Sequence, residues 1–234
     1  CPDLLKIYPL AVLKEAPLYK FYQQGKFQPY SINQLVALIK AIKKIVPPWV
    51  RIERIIRDIP AKRIIGSANV SNLRQLIASD MQTQNWQCQC IRCREVKDNY
   101  NPQEKLILTR RNYFASGGKE IFLSFENKAK TRLYSLLRLR LPGEFIAAPL
   151  PVLKNAALIR EIHTYGQQTA INQKAVAVQH RGLGKKLIKE AEMIVKQETS
   201  FKKIAVIAGI GARAYWRKFG YKLQNTYLVK KITE

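Results

Sequence analysis

The stretch Gln-His-Arg-Gly-Leu-Gly-Lys-Lys-Leu, residues 179–187, decides how the second half of this chain folds. An apolar run precedes it, and apolar residues recur at helical spacing from Leu183 onward, which predicts a strand, a turn and a helix. Gly182 and Gly184 would let the backbone approach a ligand without a Cβ in the way. The first amides of a helix carry the positive end of its dipole, and Lys185 adds charge beside them. The stretch therefore predicts a diphosphate-binding turn, although a tight strand-to-helix connection is the plainer alternative.

The pattern Gln-x-x-Gly-x-Gly at residues 179–184 resembles the acetyl-coenzyme A loop of the GCN5-related N-acetyltransferases. An apolar run at 203–208, a short helical segment at 211–219 and Gly220-Tyr221 follow in the order of the second half of that fold. A dinucleotide-binding fold would instead need an acidic residue after the next strand, where this chain has Gly209.

Short apolar segments upstream of the glycine stretch predict strands of an antiparallel sheet, joined by plausible hairpin loops. These segments are residues 105–110, 120–126, 133–140 and 157–166. An antiparallel sheet that leads into a coenzyme loop and two helices predicts an α+β acetyltransferase domain.

The composition indicates a polyanionic partner. The chain has 234 residues, 41 basic and 16 acidic, which gives a formal charge of +25. Such a surplus repels itself, so we expect nucleic acid as the partner, with an anionic membrane surface as second choice. No apolar run approaches the roughly 20 residues that a membrane span needs, and no signal peptide opens the chain. With four cysteines that suit a reducing compartment, we expect a cytoplasmic protein.

The first half reads as an incomplete repeat of strands and helices. Residues 4–8 resemble a buried strand, Ser31 is placed to cap a helix, and residues 49–57 alternate basic with apolar side chains as a strand would. The predicted apolar face of the helix comprises Leu35, Leu38, Ile39, Ile42 and Ile45, and the polar face comprises Lys40, Lys43 and Lys44. Strand, helix and strand cannot close a sheet alone, so we expect part of a βα barrel or doubly wound sheet from a longer protein or a shortened relative of one.

Three cysteines form the spacing Cys-x-Cys-x-x-Cys at Cys88, Cys90 and Cys93. This spacing lets three thiolates converge on one ion, and a structural zinc with four ligands is the favoured interpretation. The fourth ligand would come from Cys1, a histidine or elsewhere. An iron–sulfur cluster and incidental buried thiols are the alternatives.

Short motifs that occur in the same order along the chain, from residues 5–9 to residues 213–221, are similar to the catalytic subunit of Elongator, the elongator protein 3 family. These motifs include Cys-Ile-Arg-Cys-Arg-Glu-Val at 90–96, Glu-Ile-His-Thr-Tyr-Gly at 161–166 and Gln-His-Arg-Gly-Leu-Gly at 179–184. Members pair a radical S-adenosylmethionine barrel with an acetyltransferase domain and act on the wobble uridine of tRNA.

The resemblance implies an α+β architecture in three parts. Residues 1–84 would be a remnant of the radical S-adenosylmethionine barrel, 85–100 a zinc-binding linker, and 101–234 a GCN5-related acetyltransferase domain. The implied function is acetyl-coenzyme A-dependent modification of tRNA towards a C5 carboxymethyl-type group on the wobble uridine. The family also uses S-adenosylmethionine and a 4Fe-4S cluster, but this sequence has no Cys-x9-Cys-x2-Cys set to hold the cluster.

Residue by residue, the resemblance places the coenzyme at three segments: a predicted strand, the glycine stretch and a short helix. The implied coenzyme-binding residues are Glu161, Ile162, His163, Thr164, Gln179, His180, Arg181, Gly182, Leu183, Gly184, Lys185, Tyr215 and Trp216. The family's Tyr-Tyr pair falls on Tyr215 and Trp216, so proton donation to the leaving thiolate passes to Tyr215. Glu161 would orient a water or serve as a paired structural carboxylate. His163 would act as a base or zinc ligand, or pack against the coenzyme or the protein.

For tRNA we expect the basic residues of the first half to matter most. The predicted RNA-binding residues are Lys40, Lys43, Lys44, Arg51, Arg54, Arg57, Lys62 and Arg63. A solvated strand edge is the alternative for the three arginines of 51–57. A degenerate relative that binds tRNA and coenzyme without modifying anything is the alternative function. The sequence leaves the oligomeric state open, including a homodimer. A protein lysine acetyltransferase is weaker, because 16 acidic residues against 41 basic ones do not favour a basic substrate.

Overall fold

The structure, a computed structural model, describes residues 2–57, 59–66, 72–97, 101, 103–143, 148, 150–166 and 182–232. It divides into two units, the first spanning Pro2–Arg94 and the second beginning at Glu95. The boundary lies inside the stretch 85–100 that we predicted as a linker. Within the described part of the chain, no helix combines the length and apolar character that crossing a membrane requires.

The first unit contains two short strand pairs and four α-helices among its described residues. Its elements are β1 (Leu4–Lys6), β2 (Val12–Leu13), α1 (Leu18–Gln23), α2 (Ile32–Ile45), β3 (Arg51–Arg54), β4 (Ile64–Gly66), α3 (Leu73–Thr83) and α4 (Ile91–Arg94). Strand β1 pairs with β3 in parallel, and α2 makes the crossover between them, as the sequence predicted. Strand β2 pairs with β4 in the antiparallel sense.

Helix α2 begins where the sequence predicted, and its buried stripe coincides only in part with the predicted apolar face. The Ser31 hydroxyl accepts from the Gln34 amide at 3.3 Å, and the Gln34 side chain accepts from the Ser31 amide at 2.8 Å, which forms a capping box. The buried side chains step by four residues along the helix and include Lys43, while Leu38 and Ile45 are exposed. The predicted assignment of Lys43 to the polar face is therefore wrong, because the buried stripe runs through that position.

The described strands of the second unit form a seven-stranded sheet in the order β10-β11-β9-β8-β7-β6-β5. Its elements are β5 (Leu106–Ala115), β6 (Gly118–Asn127), β7 (Leu133–Leu141), β8 (Ala156–Thr164), α5 (Leu183–Glu198), β9 (Lys203–Ile207), α6 (Arg213–Arg217), β10 (Lys222–Gln224) and β11 (Tyr227–Lys231). The four predicted strands of the antiparallel run are confirmed as β5 to β8. Strand β8 pairs with β9 in parallel, with α5 between them in sequence.

The two faces of this sheet differ in chemistry. One face carries Leu137 and Ile159, which pack with Leu187 and Ile188 of α5 in the main hydrophobic core of the unit. The opposite face of β5 to β8 carries buried ion pairs, among them Glu126 with Arg111 at 2.6 Å. Side chains alternate between the faces along a strand, so neighbouring residues of β8 belong to different environments.

Candidate functional site

Helix α5 starts with an uncapped, positively charged turn. Gly182 precedes the helix in the left-handed region at φ 65°, and no side chain caps the helix start. The first turn contains no acidic residue, and Lys185 and Lys186 are exposed. The first amides of a helix have no acceptor within it, so this turn offers donors and positive charge to an anion. The predicted coenzyme-binding residues Gln179, His180 and Arg181 lie outside the described residues.

Gly184 brings three predicted site residues together because it has no side chain. A Cβ at this position would lie 2.9 Å from Tyr215 Oη, 3.8 Å from Ile162 Cδ1 and 3.9 Å from Thr164 Oγ1. Three elements therefore meet at one point: the first turn of α5, the end of β8, and α6 through its Tyr215 hydroxyl. The first contact is closer than protein Cβ atoms approach other heavy atoms, so any side chain at position 184 would displace the Tyr215 hydroxyl.

Tyr215 and Trp216 have opposite environments although they are neighbours. Tyr215 is 40% exposed, its ring centroid lies 5.0 Å from that of Phe219, and partial burial raises the pKa of its hydroxyl. A phenol with a raised pKa keeps its proton at neutral pH and can donate it. Trp216 is 3% exposed and packs on Tyr221 in the core, with ring centroids 5.1 Å apart. The implied contact between Trp216 and coenzyme is not supported, because the indole is buried among apolar side chains.

Glu161 and His163 occupy the face of β8 opposite to Ile162 and Thr164. In the register of the sheet, Glu161 pairs with Arg138 of β7, whose Nε donates to Glu161 Oε2 at 2.7 Å. The Arg138 side chain is 2% exposed, so this carboxylate neutralises a buried cation. His163 is exposed, and its ring centroid lies 4.3 Å from that of Tyr165. The structure does not bring these two side chains to the Tyr215 hydroxyl.

The three cysteines converge within the first unit. Their sulfur atoms all lie within 4.8 Å of one another, and Cys88 and Cys90 are buried. A zinc–sulfur bond of about 2.3 Å in a tetrahedral site gives sulfur–sulfur distances of roughly 3.8 Å, which this cluster can reach. Hydrogen bonds from Cys88 and Cys93 lower the pKa of the Cys90 thiol, and hydrogen bonding to Cys90 and Cys93 together with burial raises that of Cys88. The cluster is thus prepared to hold at least one thiolate.

Two buried cations lie beside the cysteines. Arg94 donates to the carbonyls of Gln89 and Pro48, both at 2.7 Å, and so fixes the loop between the first two cysteines. Lys43, which is 2% exposed, donates to Cys93 Sγ at 3.3 Å. Lys43 cannot contact RNA from this position. Local sequence patterns do not predict this contact, because it joins residues 50 positions apart.

The other predicted RNA-binding residues form a mixed set. Lys40 pairs with Asp80, Lys44 Nζ lies 5.4 Å from the ring centroid of Trp86, and Arg63 pairs with Glu15 at 3.6 Å. The remaining four differ in exposure. Arg51 is half-buried in β3, whereas the side chains of the other three are exposed, namely Arg54, Arg57 and Lys62.

Comparisons with known proteins match nearly the whole chain. Residues 2–83 match the family model described as the Radical_SAM C-terminal domain. A protein named tRNA uridine(34) acetyltransferase from Methanocaldococcus infernus is 41% identical over 239 residues, which cover 99% of this chain and 44% of that protein. A protein of the same name from Dehalococcoides mccartyi is 40% identical over 99% of this chain and 51% of its own length.

Eukaryotic proteins and a solved structure give the same picture. The human protein named Elongator complex protein 3 is 38% identical over 99% of this chain and 43% of its own length. The solved structure described as the archaeal Methanocaldococcus infernus Elp3 with an N-terminal deletion has a TM-score of 0.85 at 40% identity. The match covers 98% of this chain and 55% of that one. The chain therefore spans about half the length of the relatives it matches.

Proposed function

Because the chain belongs to the elongator protein 3 family, we propose that it takes part in acetyl-coenzyme A-dependent modification of the tRNA wobble uridine. We propose C5 as the modified position and a carboxymethyl-type group as the product. The observation that carries the proposal is the meeting of Gly184, Tyr215 and the end of β8 at the start of α5. We propose that the second unit is a GCN5-related acetyltransferase domain.

Each part of this arrangement has a chemical task. The first-turn amides of α5 and Lys185 bind the diphosphate of the coenzyme. Ile162 and Thr164 line the path of its pantetheine arm. Acetyl-coenzyme A supplies the acyl group: an acceptor or a water forms a bond to its carbonyl carbon while the bond from that carbon to the coenzyme sulfur breaks. The Tyr215 hydroxyl, protonated at neutral pH, donates its proton to the sulfur that the broken bond leaves as a thiolate.

Replacing Gly184 tests the coenzyme site directly. In Gly184→Glu a side chain would meet the Tyr215 hydroxyl and put a carboxylate beside the diphosphate, so acetyl-coenzyme A binding should be lost. The matched control is Gly209→Glu, where a Cβ has open space and the same charge is added. Titration calorimetry that finds equal affinity in both variants and the unchanged protein contradicts the site.

We propose that the three cysteines bind one structural zinc, with a fourth ligand from Cys1, a histidine or elsewhere. Soft thiolates that converge in a buried loop suit zinc, and Arg94 holds that loop in place. Elemental analysis should find about one zinc for each chain, which replacement of the cysteines by serine removes. Finding iron and sulfide instead would reassign the site, and finding no metal would reject it. The cysteines of this sequence do not have the spacing of the family's radical cluster, so we assign S-adenosylmethionine and that cluster to none of its residues.

We propose tRNA as the nucleic-acid partner, bound through exposed cations of the first unit. The formal charge of +25 supports binding by counterion release, which weakens steeply as salt rises. Selectivity for tRNA requires its shape and unstacked bases, since phosphate contacts carry no sequence information. Filter binding across a salt series should retain tRNA above a duplex of equal length. Equal retention at every salt concentration would leave a basic protein without specificity.

A matched pair of variants locates this surface. Replacing Arg54, Arg57 and Lys62 by alanine should weaken tRNA binding more than an equal loss of charge in the second unit. The control is the triple replacement of Lys202, Lys218 and Lys222, all of them exposed. Equal losses in the two triples would show that net charge alone decides binding.

A second candidate is a relative that binds coenzyme and tRNA without turnover. Two observations favour it: Trp216 is buried where the family has a tyrosine, and Glu161 is engaged with Arg138. Acetyl-coenzyme A consumption measured with and without tRNA separates the two. Turnover that depends on tRNA and is lost in Tyr215→Phe supports the enzyme, whereas tight coenzyme binding with no turnover supports the non-catalytic relative.

A further inference from the structure

Lys43 is a charged side chain in an apolar environment. It lies on the buried stripe of α2 with Leu35 and Ile39, and it is 2% exposed. Burying an ammonium is strongly unfavourable unless an opposite charge accompanies it. Its position in the last turn of α2, near the negative end of the helix dipole, offsets part of that cost. The dipole offsets only the smaller part of that cost, so another group must supply most of the compensation.

The recorded partner of Lys43 is a sulfur atom. Its ammonium lies 3.3 Å from Cys93 Sγ, and among the described residues the structure records no carboxylate that forms an ion pair with it. Cys93 belongs to the cluster whose three sulfur atoms lie within 4.8 Å of one another. The negative charge that matches Lys43 must therefore come from these thiolates.

The charge balance of a metal site explains the pairing. Three thiolates and a neutral fourth ligand around a divalent zinc ion leave a net charge of −1, and a fourth thiolate would leave −2; either charge is costly to bury without a cation. We propose that Lys43 is the counter-ion of the three-cysteine metal site and donates a hydrogen bond to the Cys93 thiolate while the metal is bound. The inference rests on the metal site proposed above. It makes Lys43 a positioning residue, which acts on the metal through its ligand.

Two variants and a matched control test the role of the charge. Lys43→Met keeps a long side chain and removes the charge, while Lys43→Arg keeps the charge. Lys44→Met is the control, since Lys44 is the next residue of α2 and is exposed over Trp86. Zinc affinity is measured on the whole chain by competition with a chromophoric chelator. We expect it to fall roughly 10–100-fold in Lys43→Met, as for other residues that hydrogen-bond metal ligands, to recover in part in Lys43→Arg and to stay unchanged in Lys44→Met.

Two further readouts separate a counter-ion from a residue that only fills space. Replacing the zinc by cobalt gives a thiolate-to-cobalt absorption band, which should shift in Lys43→Met because Cys93 loses a hydrogen-bond donor. Melting of the metal-free protein should show Lys43→Met at least as stable as the unchanged chain, since a buried charge has been removed. The same substitution should thus weaken the metal-bound form and spare the metal-free form.

Opposite results overturn the inference. Equal zinc affinity and an unchanged cobalt spectrum in Lys43→Met would show that the charge does not act on the metal, while the metal site itself would stand. A loss of stability that is the same with and without metal would assign Lys43 to packing. An unchanged chain that binds neither zinc nor cobalt would overturn the metal site and the role of Lys43 together.

Discussion

The contact between Gly184 and the Tyr215 hydroxyl allows a quantitative test of the site geometry. In Gly184→Ala the new Cβ would lie 2.9 Å from Tyr215 Oη, so the tyrosine side chain has to move. In Tyr215→Phe that oxygen is absent, and the nearest remaining neighbour is Ile162 Cδ1 at 3.8 Å, an ordinary contact. The effect of the alanine should therefore depend on whether the hydroxyl is present.

The expected magnitude follows from two opposing effects. Alanine stabilises a helix by up to about 1 kcal/mol relative to glycine. Overpacking against the hydroxyl costs about 1 kcal/mol, the lower end of the usual range, because a half-exposed side chain can yield. Gly184→Ala should thus leave the free energy of unfolding nearly unchanged in the presence of the hydroxyl. In the Tyr215→Phe background it should raise that free energy by about 0.5–1 kcal/mol.

Denaturant unfolding of the four proteins of this double-mutant cycle measures the coupling. Gly209→Ala in both backgrounds is the control, since a Cβ there meets nothing within 4 Å. A coupling energy below about 0.3 kcal/mol between positions 184 and 215 is what independent sites give, and it would refute the contact. Acetyl-coenzyme A titrations of the same proteins then show whether displacing the hydroxyl affects coenzyme binding.

Three further predictions follow from buried polar groups and close backbone contacts. Glu161→Ala should lower the free energy of unfolding by about 1–3 kcal/mol, because the buried Arg138 loses its carboxylate partner. Glu198→Ala removes the carboxylate of a more exposed ion pair with Arg110 and should cost at most about 1 kcal/mol. Equal losses in denaturant melts would contradict the difference in burial. Burial raises the pKa of the Tyr221 hydroxyl above the unfolded value of about 10. The stability that this group contributes is therefore complete below that pH and declines above it. Melts between pH 9 and about 11 should show a shallower decline of stability in Tyr221→Phe than in the unchanged chain, and parallel curves would count against the prediction. Gly143→Ala should lower the melting temperature, with a cost of about 1–3 kcal/mol, because its Cβ would lie 2.2 Å from the Gly117 carbonyl oxygen; a melt like that of the unchanged chain would show that the backbone yields there.

The sequence predicted the parts of this fold that depend on neighbouring residues. The spacing of apolar side chains located the start of α5 at Leu183, and short apolar segments between hairpin loops located the strands of the antiparallel run. Partners distant in the sequence escaped prediction. Helix α2 has apolar residues around more than half of its circumference, so the pattern could not choose the buried arc, and the position of Cys93 places Lys43 inside.

The candidate site divides in the same way. Gly184 and Tyr215 were expected at the coenzyme because each fits a local motif, and the structure brings them together. Alternation along β8 separates Glu161 from Ile162, but the buried partner of Glu161 is Arg138, 23 positions earlier, which spacing alone cannot indicate. Trp216 was predicted to contact the coenzyme because it aligns with the second tyrosine of the family's pair. Packing on Tyr221 instead puts its indole in the core.

Among the described strands, β5 lies at one end of the sheet, and this has consequences for handling the protein in solution. A ten-residue terminal strand offers its backbone to any other strand, and an exposed edge of this length promotes aggregation. Phe114 near its end is 82% exposed, which adds apolar surface. Arg110 and Arg111 put charge in the middle of the strand, each anchored to a carboxylate. Exchanging this pair for neutral β-formers should turn the strand into a seed for fibrils, and preparations of such variants should scatter light before they unfold.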